Sequence, residues 1–146
     1  MGIRVETLIF LQFYLEGVIG HPPQQKQRFF GKCNCMGNFL SLILSMGMVV
    51  PHPGIMSRGK TTNHDGIDII CSIGDKIVAA HDGKVTTYKD FRMGNVVVVK
   101  GEGVSTLYAH LSSVEKISEA KSGDVIGYCG STGIWSSAPH LHFEVH

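Results

Sequence analysis

The sequence has no C-x-x-C pair, no H-E-x-x-H motif, no basic run and no apolar stretch of bilayer length. Each absence narrows the field. Lack of C-x-x-C speaks against a zinc ribbon or a thioredoxin-type redox site. Lack of H-E-x-x-H removes the helical zinc-protease motif together with its glutamate base. Thirteen basic against twelve acidic residues leave a net charge of +1, so nothing supports nucleic-acid binding through counterion release. Phe39–Val50 is a twelve-residue run rich in Leu, Ile, Met and Val, whereas a membrane-spanning helix needs about 20 residues. Charge is scarce at 17%, and hydrophobic residues reach 43%. Such a chain buries a core and is not disordered. At 146 residues it accommodates one domain and an appendage.

The front of the chain differs in texture from the rest. Leu8–Leu15 is apolar but short, and His21-Pro22-Pro23-Gln24-Gln25 breaks it from a stretch carrying Lys26, Arg28 and Lys32. Cys33 to Ser57 carries no Asp, Glu, Lys or Arg. Residues 39–50 fit the h-region of a signal peptide, and the preceding basic residues fit a membrane anchor. Lying so far into the chain, the run leaves three readings open: a start further on at Met36, a signal-anchor, or a buried segment. Export or membrane association through residues 39–50 is the expectation, with 1–47 an N-terminal segment and 48–146 the folded domain. No lipobox precedes Cys33 or Cys35.

Past residue 56 the pattern is short strands and turns. Gly66–Ile70, Ile77–Ala80, Lys84–Tyr88, Asn95–Lys100, Ser105–His110, Val125–Cys129 and Leu141–Val145 are rich in β-branched residues and bounded by glycine-containing turns. Eighteen glycines suit an all-β fold better than a helical one. The expectation is antiparallel sheets forming a sandwich or open barrel with a narrow active-site groove. Ser112–Lys121 reads as a loop with a helical turn. Cys71 and Cys129 are either a disulfide or two buried thiols.

Chemistry gathers around histidine. His140-Leu141-His142-Phe143-Glu144-Val145 alternates strictly, which puts Leu141, Phe143 and Val145 inward and the polar trio on a cleft. Two strand residues two apart stand about 6.6 Å apart at Cα and point the same way. His64 and Asp68 are four apart, about 13 Å on one straight strand. A turn at Asp65-Gly66 would bring His64 back over a strand carrying Asp68. His110 ends the Thr106–His110 strand. A lone H-x-H is commonly a solvated strand face. Four histidines and an aspartate on neighbouring strands are better explained by a hydrolytic metal site.

N-H-D-G-I-D-I, G-N-V-V-V-V, S-T-L-Y-A-H-L-S, G-D-V-I-G-Y-C-G-S-T-G and P-H-L-H-F-E-V occur in that order. The region from about residue 48 to 146 resembles the lysostaphin/LytM-type zinc metalloendopeptidases, and Val49–Ser57 resembles their lead-in strand. The resemblance implies one zinc ion per chain held by His64, Asp68 and His142, with His110 and His140 as the catalytic pair. Spacing alone does not say which histidine of 140 and 142 binds metal. Two imidazoles and one carboxylate leave a fourth position for water, the mark of a catalytic site. His110 and His140 share the roles of proton acceptor and oxyanion donor, in an order the sequence does not set. Glu144 either orients a histidine or is simply solvated.

The resemblance implies an endopeptidase acting on cross-links or stem peptides of cell-wall peptidoglycan, located in the cell envelope. The rival is a non-catalytic envelope-binding or regulatory protein on the same fold, against which the intact five-residue site speaks. Three features depart from the family pattern. Ser57-Arg58-Gly59-Lys60 reduces an F-G-x-R-like element, the Ile117–Gly123 loop is short, and Lys100 replaces a common histidine. With His146 just past the last strand, that strand is expected to lack its closing neighbour.

Overall fold

The computed structural model describes residues 43 and 45–146. The segment 1–42, with Cys33, Cys35 and the basic residues before the apolar run, lies outside them. Among the described residues ten strands pair antiparallel throughout. They are β1 Met56–Arg58, β2 Ile67–Ile70, β3 Lys76–Val78, β4 Gly83–Asp90, β5 Gly94–Lys100, β6 Ser105–Leu111, β7 Ser113–Val114, β8 Glu119–Ala120, β9 Val125–Tyr128 and β10 His140–Val145. Seven form one sheet in the order β1-β2-β10-β6-β5-β4-β8, and β3-β9-β7 form a second.

Alternation decides which side chains meet between the layers. From the large sheet come Ile67, Ile69, Val97, Val99, Tyr108, Leu141 and Phe143, and from the small one Ile77 and Ile126, all buried in one cluster. Tyr108 and Phe143 pack with ring centroids 5.2 Å apart, being cross-strand partners on β6 and β10. A Cys71–Cys129 disulfide joins the residue after β2 to the residue after β9, fastening the two sheets together. It closes a loop of 58 residues, for which the chain-entropy relation gives about 4 kcal/mol of stabilisation.

All seven strands expected from the sequence are present, and β1 overlaps the end of the Val49–Ser57 lead-in. Two expectations are corrected. Ser112–Lys121 is not a loop with a helical turn: it carries β7 and β8. Its backbone groups are taken up by β9 and β4, with Glu115 N–H donating to Ile126 O at 2.9 Å and Val85 N–H to Ser118 O at 2.8 Å. Long-range pairing of this kind leaves no periodic trace in so short a segment. Nor does the last strand lack neighbours. β10 lies inside the sheet, paired with β2 on one side and β6 on the other.

The described part of the Phe39–Val50 run meets the β core. Ile43 and Met48 are 2% and 4% exposed within the same cluster, and Val49 N–H donates to Ala80 O at 2.8 Å. Among the described residues no helix is long and apolar enough to cross a membrane.

Candidate metal centre and cleft

The register of three neighbouring strands assembles the site. Asp68 on β2 lies directly opposite His142 on β10, and His142 lies opposite Ala109 on β6. Cross-strand partners project to the same face, so the carboxylate and the imidazole meet over the large sheet. The Thr61–His64 turn, closed by backbone hydrogen bonds in both directions, brings His64 over them. His64 Nε2 stands 3.1 Å from Asp68 Oδ1 and 3.1 Å from His142 Nδ1, and that Nδ1 is 2.9 Å from Asp68 Oδ1.

His110 reaches the cleft through a backbone irregularity. Strict alternation from Tyr108 would turn its side chain into the core. Instead the β5–β6 register shifts between Asn95 and Val97, and His110 adopts φ 62°, the only positive φ outside glycine among the described residues. This is bulge geometry, which re-aims a side chain. The His110 ring centroid is thereby 4.7 Å from that of His140 and 6.0 Å from that of His142.

Each of the four imidazoles has one nitrogen tied to an oxygen acceptor. His64 Nδ1 donates to Gly59 O at 3.0 Å, His110 Nδ1 to Thr132 O at 2.7 Å, and His140 Nδ1 to Ala138 O at 2.8 Å. His142 is anchored through the opposite nitrogen, Nε2 donating to Glu144 Oε1 at 2.8 Å. These anchors leave His64 Nε2, His140 Nε2, His142 Nδ1 and the second nitrogen of His110 for other partners. Glu144 thus holds the His142 ring in orientation and is not merely solvated. His146 Nε2 lies 2.7 Å from its other oxygen.

Electrostatics fit this arrangement. Burial pushes against charge on His142, but hydrogen bonds with Asp68 and Glu144 lift its pKa to about 9. Asp68 is opposed by its own burial, yet the His142 hydrogen bond and the charges of His64 and His140 hold it below the ordinary carboxylate value. The His142 hydrogen bond does the same for Glu144. His110 moves the other way. Burial lowers its pKa, and repulsion from His140 and His142 adds to that, against the raising effects of the Thr132 hydrogen bond and of Asp68, which favours its neutral form.

Two imidazole lone pairs and a carboxylate oxygen facing one another at about 3 Å repel unless positive charge sits between them. In the metal-free protein a proton on His142 supplies it. The same three atoms suit a divalent cation, since bonds of about 2.0–2.1 Å at tetrahedral angles set ligand atoms about 3.3 Å apart. His64, Asp68 and His142 are the metal-capable group found among the described residues. The cleft above them encloses about 350 Å³.

All five site residues expected from the sequence line this cleft. The sequence reading missed Trp135 and Met93, which line it too. Trp135, the single tryptophan, stands in the glycine-rich loop before the H-x-H strand. A large apolar residue in such a loop was the available signal.

A three-donor pocket with two more imidazoles above it, floored by an antiparallel sheet, is the constellation of a hydrolytic metal centre. A family model described as peptidase family M23 matches residues 62–146, more than half of the sequence, and the chain belongs to that family. The DD-carboxypeptidase/endopeptidase Mpg of Neisseria meningitidis is 44% identical over 85 residues, covering 56% of this chain and 19% of that protein. The glycyl-glycine endopeptidase ALE-1 of Staphylococcus capitis is 39% identical over 100 residues, covering 64% and 26%. A crystal structure of a zinc-containing peptidase from Vibrio cholerae superposes with TM-score 0.57 at 31% identity, covering 63% of this chain and 33% of that one. The chain thus spans about a fifth to a quarter of the length of these curated relatives.

Proposed function

We propose that this chain is a zinc-dependent endopeptidase that hydrolyses peptide cross-links or stem peptides of bacterial peptidoglycan. The observation that carries this is the triangle of His64 Nε2, Asp68 Oδ1 and His142 Nδ1, with the outer nitrogens of both histidines engaged. These three residues would hold the zinc ion, one per chain, and a set of two neutral imidazoles and one carboxylate with room for water suits catalytic zinc. Zinc supplies Lewis acidity, acidifying water and polarising a carbonyl.

The chain's own groups do the rest. His110 is fixed by the Thr132 carbonyl and kept neutral by burial, so its other nitrogen accepts the proton of an attacking water. His140, whose Nδ1 is held by Ala138 O, faces the same space and donates to the developing oxyanion once protonated at Nε2. The substrate class is carried by the M23 relatives, named for glycyl-glycine and DD-carboxypeptidase/endopeptidase activity. An envelope location accords with the Cys71–Cys129 disulfide, which belongs in an oxidising compartment. Ile43 and Met48, packed in the β core, favour the buried-segment reading of residues 39–50 over export or membrane attachment.

Digestion of purified sacculi of contrasting cross-bridge type tests it. Zinc-loaded wild type should release cross-link or stem products, identified by mass spectrometry, and His110→Ala should release none. A folded, zinc-bound wild type that leaves every wall intact would refute the endopeptidase.

A further inference from the structure

One wall of the cleft has a surface chemistry that hydrolysis alone does not use. There the β4–β5 turn meets the loop before β10, Ile134 N–H donating to Phe91 O at 3.1 Å and Trp135 N–H to Arg92 O at 3.0 Å. Glycines permit this approach: a Cβ on Gly94 would strike Thr132, and one on Gly133 would strike the Arg92 carbonyl. Asp90 Oδ1 closes the turn by accepting the N–H groups of Arg92 and Met93, both at 2.7 Å. The wall is therefore a built rim. Through the Thr132 carbonyl, which accepts from His110 Nδ1, it is continuous with the catalytic pair.

That rim leaves Phe91, Ile134 and Trp135 exposed by 77%, 61% and 60%. Trp135 lines the cleft, and the Arg92 guanidinium carbon lies 5.1 Å from its ring centroid. The ion pairs among the described residues involve histidines, never Arg92. A guanidinium resting on an indole keeps its planar fork of N–H donors for a carboxylate, with little further entropy to lose. Apolar surface beside an oriented cation matches a peptide with alkyl side chains and a free carboxylate. An oligoglycine bridge has no side chain to bury there and no carboxylate along its length.

We propose that Trp135 and Arg92 form a specificity subsite, selecting stem peptides that carry alkyl side chains and a free carboxylate near the scissile bond over oligoglycine bridges. This rests on the endopeptidase reading and names its substrate class.

Trp135 is the only tryptophan, so intrinsic fluorescence reads the subsite directly. The full chain, zinc-loaded, is titrated with an alanyl tetrapeptide acid, its C-terminal amide and tetraglycine amide. The acid should perturb Trp135 emission and bind at least fivefold more tightly than the amide, while tetraglycine amide should leave the emission unchanged. Arg92→Gln should erase the acid-over-amide preference, and Arg58→Gln, on the cleft's other side, should keep it. Trp135→Phe, which retains an aromatic face, should hold most of the selectivity in turnover that Trp135→Ala loses. The proposal is overturned if Arg92→Gln keeps the preference, or if tetraglycine amide or peptide-free glycan perturbs Trp135 as strongly as the acid. Walls cut equally fast by wild type, Arg92→Gln and Trp135→Ala would sink the subsite and leave the endopeptidase standing. Acid-over-amide discrimination at Trp135 without cleavage of any wall would do the reverse.

Discussion

Replacing His110 with glycine should leave the protein more stable than replacing it with alanine, although glycine is the weaker strand residue. His110 sits at φ 62°, where a residue bearing a Cβ loses about 1–2 kcal/mol that glycine does not. Both substitutions delete the same hydrogen bond to Thr132 O, worth about 0.5–1.5 kcal/mol net. Both also empty nearly the same space, because His110 is only 3% exposed. Those losses cancel in the comparison. Glycine's larger freedom in the unfolded chain takes back roughly 0.5–1 kcal/mol. What remains favours the glycine variant by about 0–1.5 kcal/mol, at most roughly 6–12 °C in Tm for a domain near 100 residues. Urea unfolding of the two metal-free variants, with m-values compared, measures the difference, and both variants should be inactive on sacculi. An alanine variant more stable than the glycine variant by about 0.5–1 kcal/mol, the entropy difference alone, would mean that the bulge imposes no backbone strain. The account of how His110 is turned into the cleft would then fail.

Glu144→Gln should weaken zinc binding by about 10–100-fold, the usual cost of losing a carboxylate behind a ligand histidine, as read by competition with a chromophoric chelator. Unchanged affinity would make Glu144 a bystander. Without metal, stability should be greatest near pH 6.5, since His110, lowered by burial, loses stability as pH falls below that value. His142, raised to about 9, contributes fully below its unfolded value of about 6.5 and loses that contribution as pH rises through 9. Asp68 and Glu144, both lowered, contribute above about pH 4–4.5 and lose it as pH falls further. The Tm of chelator-treated protein should therefore decline from pH 6.5 to 9.5 more steeply in wild type than in His142→Ala, and parallel declines would refute this. Cys71→Ala/Cys129→Ala should lower unfolding free energy by about 4 kcal/mol, measured in urea against the oxidised wild type. A difference under about 1 kcal/mol would mean that the bridge holds nothing the sheets do not.

β-Branched runs and glycine turns were enough to place seven of the ten strands among the described residues, and alternation gave most of their faces. In His140–Val145 it separated the buried Leu141 and Phe143 from the polar trio, because a strand's period of two is a local property. The ordered motifs were likewise legible, and they carried the family. Other features depend on which strand lies beside which, and no local pattern encodes that. Pairing of β2 with β10 set Asp68 opposite His142, and the shifted β5–β6 register with a left-handed backbone at His110 turned that side chain out of the core. Only atoms in place distinguished Nδ1 of His142 from Nε2 as the atom facing the triangle, since the choice belongs to Glu144 on the far side of the ring. The disulfide, open in the sequence, was decided when the ends of β2 and β9 met. His64, Asp68, His110, His140 and His142 are spread in order along the chain, and the non-local register brings them to one cleft.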